Sequence, residues 1–248
     1  MEFSGVIEQV GRNVTGFVVG DEVFGAAKDC LAELVVAKVG EIAKKPAGVS
    51  FEVAATIPVV GTTAASLFGR AAIGPGDEVL INGATGGIGM FATQMAVRRG
   101  AQVTAVVSEK GVELVKRWGV HRVVDYRKTN VLEEKRQYDV VVELSDRLSF
   151  KQAKPLVKSG GTDVASLPIP AELIAGYLNN LYAKKKYALM GMQARHETLE
   201  SIAGEVAAGR IKVIIGKTFP LAEFHEAYAQ TAAGKFAGKV VFTIGAAS

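Results

Sequence analysis

A short apolar run, Glu78-Val79-Leu80-Ile81, leads into Asn82-Gly83-Ala84-Thr85-Gly86-Gly87-Ile88-Gly89, and then into a stretch of helical spacing from Met90 to Arg99 that stops at Gly100. Strand, glycine turn and helix in that order make a cradle for the phosphates of a dinucleotide. Residues without side chains let the backbone come close to a diphosphate. The helix start then presents free N–H groups and a partial positive charge. The glycines fall at Gly83, Gly86 and Gly89, a Gly-x-x-Gly-x-x-Gly variant of the dinucleotide fingerprint. The flanking strand and helix supply the context that gives such a triplet meaning.

The segments that follow alternate. Residues 79–84, 103–107, 122–126, 138–144, 162–167 and 187–192 read as strands, with a Gly160-Gly161 turn before the fifth. Residues 87–99, 112–118, 150–157, 171–182 and 198–208 read as helices between and after them, the last with Leu199, Ile202 and Val206 on one face. Such alternation predicts an α/β fold built on a doubly wound parallel sheet of Rossmann type. The two ends differ. Residues 5–10 and 22–24 read as short strands among glycine turns, no helix is expected before about Phe51, and residues 239–244 close the chain as a strand. The expected organisation is a β-rich unit from both ends (1–52 and 212–248) with a cofactor domain (53–211) inserted between them.

Bulk properties exclude several classes. The 248 residues carry a formal net charge of +4, and 49% are apolar and 22% charged, the proportions of a folded globular chain. The basic clusters Arg98-Arg99, Lys116-Arg117 and Lys184-Lys185-Lys186 are not interleaved with aromatic residues and read as solvated helix ends, so no nucleic-acid partner is expected. The longest uncharged stretch, 53–69, contains Pro58, Gly61 and several threonines and is too short and polar for a membrane span. No secretory signal opens the sequence, and a cytoplasmic location is expected. Cys30 is the single cysteine, which rules out an intrachain disulfide and a multi-cysteine zinc site. His121, His196 and His225 show no ligand spacing, so no metal site is expected, and His225 reads as a surface residue of a helix containing Leu221, Phe224 and Tyr228.

Several ordered motifs together resemble the zinc-free branch of the medium-chain dehydrogenase/reductases, the quinone oxidoreductase-like proteins. Phe3-Ser4-Gly5-Val6-Ile7-Glu8-Gln9-Val10-Gly11 followed by Val19-Gly20-Asp21-Glu22-Val23 is similar to the last strands of that family's GroES-like barrel. Ile57-Pro58-Val59-Val60-Gly61-Thr62-Thr63-Ala64 resembles the helix entering its cofactor domain, and the glycine turn, Val123-Val124-Asp125-Tyr126 and Gly238-Lys239-Val240-Val241 fit as well. The resemblance implies a partial GroES-like β-barrel built from both chain ends. The family's first barrel half would precede Glu2, so the chain is expected to be truncated at its N-terminus, with a compressed loop after Gly25 and exposed strand edges.

The implied activity is reduction of quinones or α,β-unsaturated carbonyls by NADPH, without a metal, in a homodimer. By the same resemblance, Thr85, Gly86, Gly87, Ile88 and Gly89 would hold the diphosphate, and Thr63 would lie near the nicotinamide. Ser108, Lys110 and Tyr126 would surround the adenosine 2′-phosphate, and Ala165 and Ser166 would line the nicotinamide pocket. The residues themselves support part of this. An acid after the second strand is what binds both ribose hydroxyls of NAD. Here Val107 is followed by Ser108, Glu109 and Lys110, and a hydroxyl with an ammonium suits a phosphate dianion. Glu109 turned inward would favour NAD(H). Ser108 can equally be a helix N-cap with Glu109 in the first turn. NADP(H) is the cofactor expected, with NAD(H) as the alternative. No general acid stands out: Tyr177, Tyr182 and Tyr187 qualify by type only, Asp139 reads as structural and Cys30 as a loop thiol. A second reading is a nucleotide-binding sensor, scaffold or partner protein without turnover.

Overall fold

The computed structural model describes residues 1–145, 147–166, 170–192 and 194–245. The chain divides into two compact units, Met1–Thr62 with Met192–Ser248, and Thr63–Gly191.

The first part of the terminal unit is an antiparallel sheet of β1 (Glu2–Val6), β2 (Glu22–Ala26) and β3 (Ile42–Lys44) in that order. The first strand was expected at 5–10. Its ladder instead runs from Glu2↔Ala26 to Val6↔Glu22 and ends where β2 begins. Gly16 and Gly20, both at positive φ, turn the chain between the two strands. β3 is too short to show alternation in sequence. Phe17, Val23 and Ile42 form a small core beneath this sheet. Helix α1 (Phe51–Ala54) follows, with Ser50 Oγ accepting from the Val53 N–H at 3.3 Å, and then α2 (Pro58–Arg70).

The central unit is built on a six-stranded sheet. Its strands are β4 (Glu78–Asn82), β5 (Gln102–Val107), β6 (Arg122–Asp125), β7 (Tyr138–Glu143), β8 (Val157–Ala165) and β9 (Lys186–Leu189). They lie in the order β6-β5-β4-β7-β8-β9, and every neighbouring pair is parallel. Helices α3 (Gly87–Arg98), α4 (Val112–Arg117), α5 (Phe150–Ala153) and α6 (Pro170–Tyr182) lie between strands. The chain winds outward from β4 to β6 and then returns to the far side of β4 as β7. This is the doubly wound arrangement expected, and its reversal lies beside β4. Val79, Leu80, Ile81, Val141 and Val142 have no exposed surface, as a parallel sheet covered on both faces requires. Leu80, Val106, Tyr138, Val141, Leu156 and Val157 belong to one packed core.

One local reading is corrected. Residues 150–157 do not form one helix: α5 ends at Ala153, a 3₁₀ turn spans Lys154–Leu156, and β8 already begins at Val157. Pro155 explains the break, since it cannot donate a helical hydrogen bond. Gly160 and Gly161 therefore lie inside β8 rather than before it. The register jumps there from Tyr138↔Val157 to Val140↔Thr162, with Gly160 at φ +88°. Leu167, the expected end of that strand, lies outside the described residues.

The chain returns to the terminal unit with α7 (His196–Ala207), which buries Leu199, Ile202 and Ala203. Strand β10 (Ile215–Pro220), helix α8 (Phe224–Ala232) and strand β11 (Lys239–Thr243) follow, with β10 and β11 parallel. Glu2 ties the two ends of the chain together: one carboxylate oxygen accepts from the Val59 N–H at 2.7 Å, and the other meets Lys239 Nζ at 2.5 Å. No helix among the described residues is long and apolar enough to cross a membrane.

Candidate cofactor site at the carboxyl edge of the sheet

The turn after β4 shows why each glycine is there. Gly83 stands at φ +84°, and its N–H and that of Ala84 donate to the Val106 carbonyl at 3.2 and 3.3 Å. A Cβ on Gly89 would sit 2.1 Å from the Gly83 oxygen and 2.8 Å from the Ala84 carbonyl carbon, so only glycine lets the helix start this close to the strand. Gly86 has an ordinary φ of −70° and is exposed as the N-cap of α3. It offers no side-chain acceptor to the helix. The first N–H groups of α3, on Gly87, Ile88 and Gly89, are the orphan donors of every helix start, and no N-cap side chain accepts from them. Such a cradle fits the diphosphate of a dinucleotide.

The strand register then aligns a row across the carboxyl edge. Val124, Val106, Asn82, Glu143, Ala165 and Leu189 are consecutive partners on six adjacent strands. Asn82 and Glu143, both nearly fully buried, sit at its middle, on the two strands that flank the reversal. Asn82 Nδ2 donates to Glu143 Oε2 at 2.7 Å and to Ser145 Oγ at 2.9 Å. The Ser145 N–H and hydroxyl both donate to Glu143 Oε1, at 2.6 and 2.7 Å. Every oxygen of this buried carboxylate is therefore satisfied. The same residue also holds the next strand, because the Ser166 N–H donates to the Glu143 carbonyl at 3.3 Å. Asn82, Glu143 and Ser145 thus brace the glycine turn against the Ala165–Ser166 end of β8. Sequence reading passed over them. The available signal was a polar residue ending each of two apolar runs, Val79-Leu80-Ile81-Asn82 and Val140-Val141-Val142-Glu143.

On the other side of β4, the expected adenosine residues follow β5 and β6. A 3₁₀ turn, Glu109–Gly111, precedes α4. Ser108 occupies its N-cap position, yet its hydroxyl makes no capping bond. Gly111 packs against Thr85, where a Cβ would come within 2.9 Å of the Thr85 methyl group. Lys110 is exposed. Glu109 meets Lys128 Nζ at 3.2 Å, and Lys128 also lies 3.7 Å from Asp125. The two carboxylates raise the pKa of Lys128, Glu109 foremost. Tyr126 is 38% exposed and is held by its N–H to the Val107 carbonyl at 3.1 Å.

Thr63 is a buried residue of α2. Ser66 Oγ donates to the Thr63 carbonyl at 2.7 Å and accepts from the Gly191 N–H at 3.1 Å, which ties this helix to the chain leaving β9. The Met190 N–H in turn donates to the Ala165 carbonyl at 3.0 Å. The structure therefore gathers Thr85, Gly86, Gly87, Ile88, Gly89, Ser108, Lys110, Tyr126, Ala165 and Ser166 at the carboxyl ends of four strands, where open α/β sheets bind ligands. Among the tyrosines, Tyr177 and Tyr182 are exposed on α6, and Tyr187 is buried against Phe150 at 4.7 Å between ring centres. Asp139 lies at the opposite end of the sheet, accepting from the Glu78 N–H and pairing with Lys158 at 2.9 Å. In the terminal unit, Cys30 is buried, with its thiol 3.3 Å from the Ala27 carbonyl oxygen.

A family model described as a zinc-binding dehydrogenase matches residues 118–242. The chain is 30% identical to the mitochondrial NAD(P)H oxidoreductase RTN4IP1 of Bos taurus, over 98% of this chain and 69% of that protein. It is 28% identical to a chloroplast envelope quinone oxidoreductase homolog of Arabidopsis thaliana, over 97% of this chain and 78% of that one. The fold matches a quinone oxidoreductase from Coxiella burnetii with a TM-score of 0.88 at 27% identity, covering 97% of this chain and 77% of that one. The chain belongs to the quinone oxidoreductase-like medium-chain dehydrogenase/reductases. Among the described residues, no group of three or more His, Cys, Asp or Glu side chains is placed to hold a metal ion.

Proposed function

We propose that this protein is an NADPH-dependent oxidoreductase that reduces a quinone or an α,β-unsaturated carbonyl without a metal. The observation that carries the proposal is the uncapped start of α3, set in a turn where a Cβ on Gly89 would collide with the backbone. In this reading the N–H groups of Gly87, Ile88 and Gly89 bind the diphosphate, with Thr85 and Gly86 beside them. Ser108, Lys110 and Tyr126 take the adenosine 2′-phosphate, while Thr63, Ala165 and Ser166 line the nicotinamide end. Bound NADPH would supply a hydride to a quinone carbon or an enone β-carbon, with charge moving to the carbonyl oxygen and a proton arriving from water. Asn82, Glu143 and Ser145 hold the glycine turn in place relative to the Ala165–Ser166 end of β8. The names of the relatives, an NAD(P)H oxidoreductase and quinone oxidoreductases, support a nicotinamide cofactor and a quinone as substrate class.

Titration of the protein with NADPH, followed by fluorescence, and consumption assays with quinones and enones test this directly. Saturable binding and turnover with at least one electrophile are expected. Binding without consumption across a broad panel would favour a sensor or partner protein. Absence of binding would remove both readings.

A further inference from the structure

Arg147, in the segment after β7, lies with its guanidinium carbon 4.6 Å from the ring centre of Tyr126, in the segment after β6. Those two strands are not neighbours: β5 and β4 stand between them. The contact therefore crosses three strand spacings, about 14 Å, and passes over the carboxyl ends of β5 and β4, from which Ser108 and the glycine turn emerge. Arg127 flanks the same ring at 6.0 Å. The charges nearby are sorted in a definite way. Among the described residues, Glu109 and Asp125, two acids able to repel a phosphate, both lie against Lys128. Lys110, Arg127 and Arg147 keep no acidic partner among the described residues.

We propose that Arg147 and Lys128 set the preference for a 2′-phosphorylated adenosine, Arg147 by direct contact and Lys128 by holding Glu109 off the ribose. The proposal rests on the dinucleotide reading above and names specificity residues for it. A dinucleotide laid from the glycine turn towards Ser108 runs along the path that the Arg147–Tyr126 contact spans. A guanidinium there offers a planar pair of donors to a phosphate. Glu109 is the acid that would select NAD by gripping the ribose hydroxyls, and its pairing with Lys128 turns a residue adverse to NADPH into a neutral one. Arg147 is not legible as a cofactor residue in sequence, because it follows a strand on the opposite side of β4 from Ser108.

The test measures dissociation constants for NADPH, NADH, 2′-AMP and 5′-AMP by calorimetry on the full chain and on Arg147→Gln, Arg147→Lys, Lys128→Met and Glu109→Gln/Lys128→Met. Arg147→Gln should weaken NADPH and 2′-AMP about tenfold, the loss of one charge-assisted contact, and leave NADH and 5′-AMP nearly unchanged. Arg147→Lys should recover part of that loss. Lys128→Met should weaken NADPH and tighten NADH, and the double variant should reverse both shifts. Equal weakening of all four ligands, or an unaltered NADPH-to-NADH ratio in variants that retain the parent melting curve, would overturn the proposal. Failure of the parent chain to bind either dinucleotide would instead defeat the reading beneath it.

Discussion

Gly89 and Gly86 make different demands on the same turn. A Cβ on Gly89 has backbone atoms at 2.1 and 2.8 Å, with no side chain able to yield. On Gly86 the nearest atom is the Gly83 oxygen at 3.3 Å, and φ is ordinary. Gly89→Ala should therefore cost about 1–3 kcal/mol of stability, as overpacking does, and weaken NADPH at least tenfold. Denaturant titration and a fluorescence binding curve check the two effects. Lys110 is exposed beside Ser108, whose hydroxyl is not spent on a helix cap. Lys110→Glu should move the preference from NADPH towards NADH, read as the ratio of the two dissociation constants. The glycine turn was legible because its chemistry is local and its spacing survives in one stretch of sequence. Asn82, Glu143 and Ser145 were not, because their meaning comes from strand register, which places Asn82 opposite Glu143 across 61 positions of sequence.

The sheet is braced at its amino edge by charges and at its carboxyl edge by the buried amide–carboxylate pair. At the amino edge, Glu78 of β4 meets Arg136 at 2.5 Å and Lys158 of β8 at 2.9 Å, and Lys158 also bridges to Asp139 of β7. Lys158, then Arg136, holds the Glu78 carboxyl below its ordinary value near 4.5. A carboxyl group with a lowered pKa in the folded state stabilises the fold above its ordinary value, and that contribution is lost as pH falls through the lowered one. Lys158→Met should thus cost about 0.5–1 kcal/mol at pH 7, the scale of a partly exposed pair, and the cost should fade below about pH 4. Urea midpoints across pH 3–8 measure it, and a constant difference at all pH values would contradict it. Strong periodicity made β4, α3, β5 and β7 readable from sequence. The true start of β8 was not, because a proline-broken helix and a glycine bulge produce no period. The three-residue β3 was too brief to show one.

The two ends of the chain share one unit, and the Glu2 carboxylate is one of the groups that join them. Glu2 carries the Val59 N–H and the Lys239 ammonium in a site where its side chain is 12% exposed. Glu2→Ala should destabilise the protein by about 1.5–3 kcal/mol, the worth of hydrogen bonds to a charged group, seen as a lower melting temperature. NADPH affinity should change little when measured well below that temperature. The alternation of elements made the doubly wound unit legible as a whole. The terminal unit was less so, since β10 and β11 pair only after α8 intervenes between them.

The central claim is that the start of α3 is a built anion site for a dinucleotide diphosphate, and Gly86→Asp tests it most directly. Aspartate is a favoured N-cap, so its carboxylate should satisfy the free N–H groups and leave the fold as stable as before or more so. It would also occupy the diphosphate position with a negative charge. Calorimetric titration of NADPH into the parent and Gly86→Asp proteins should show binding in the first and at least a hundredfold loss in the second, with the melting temperature held or raised. Equal NADPH affinity in the two proteins would contradict the account.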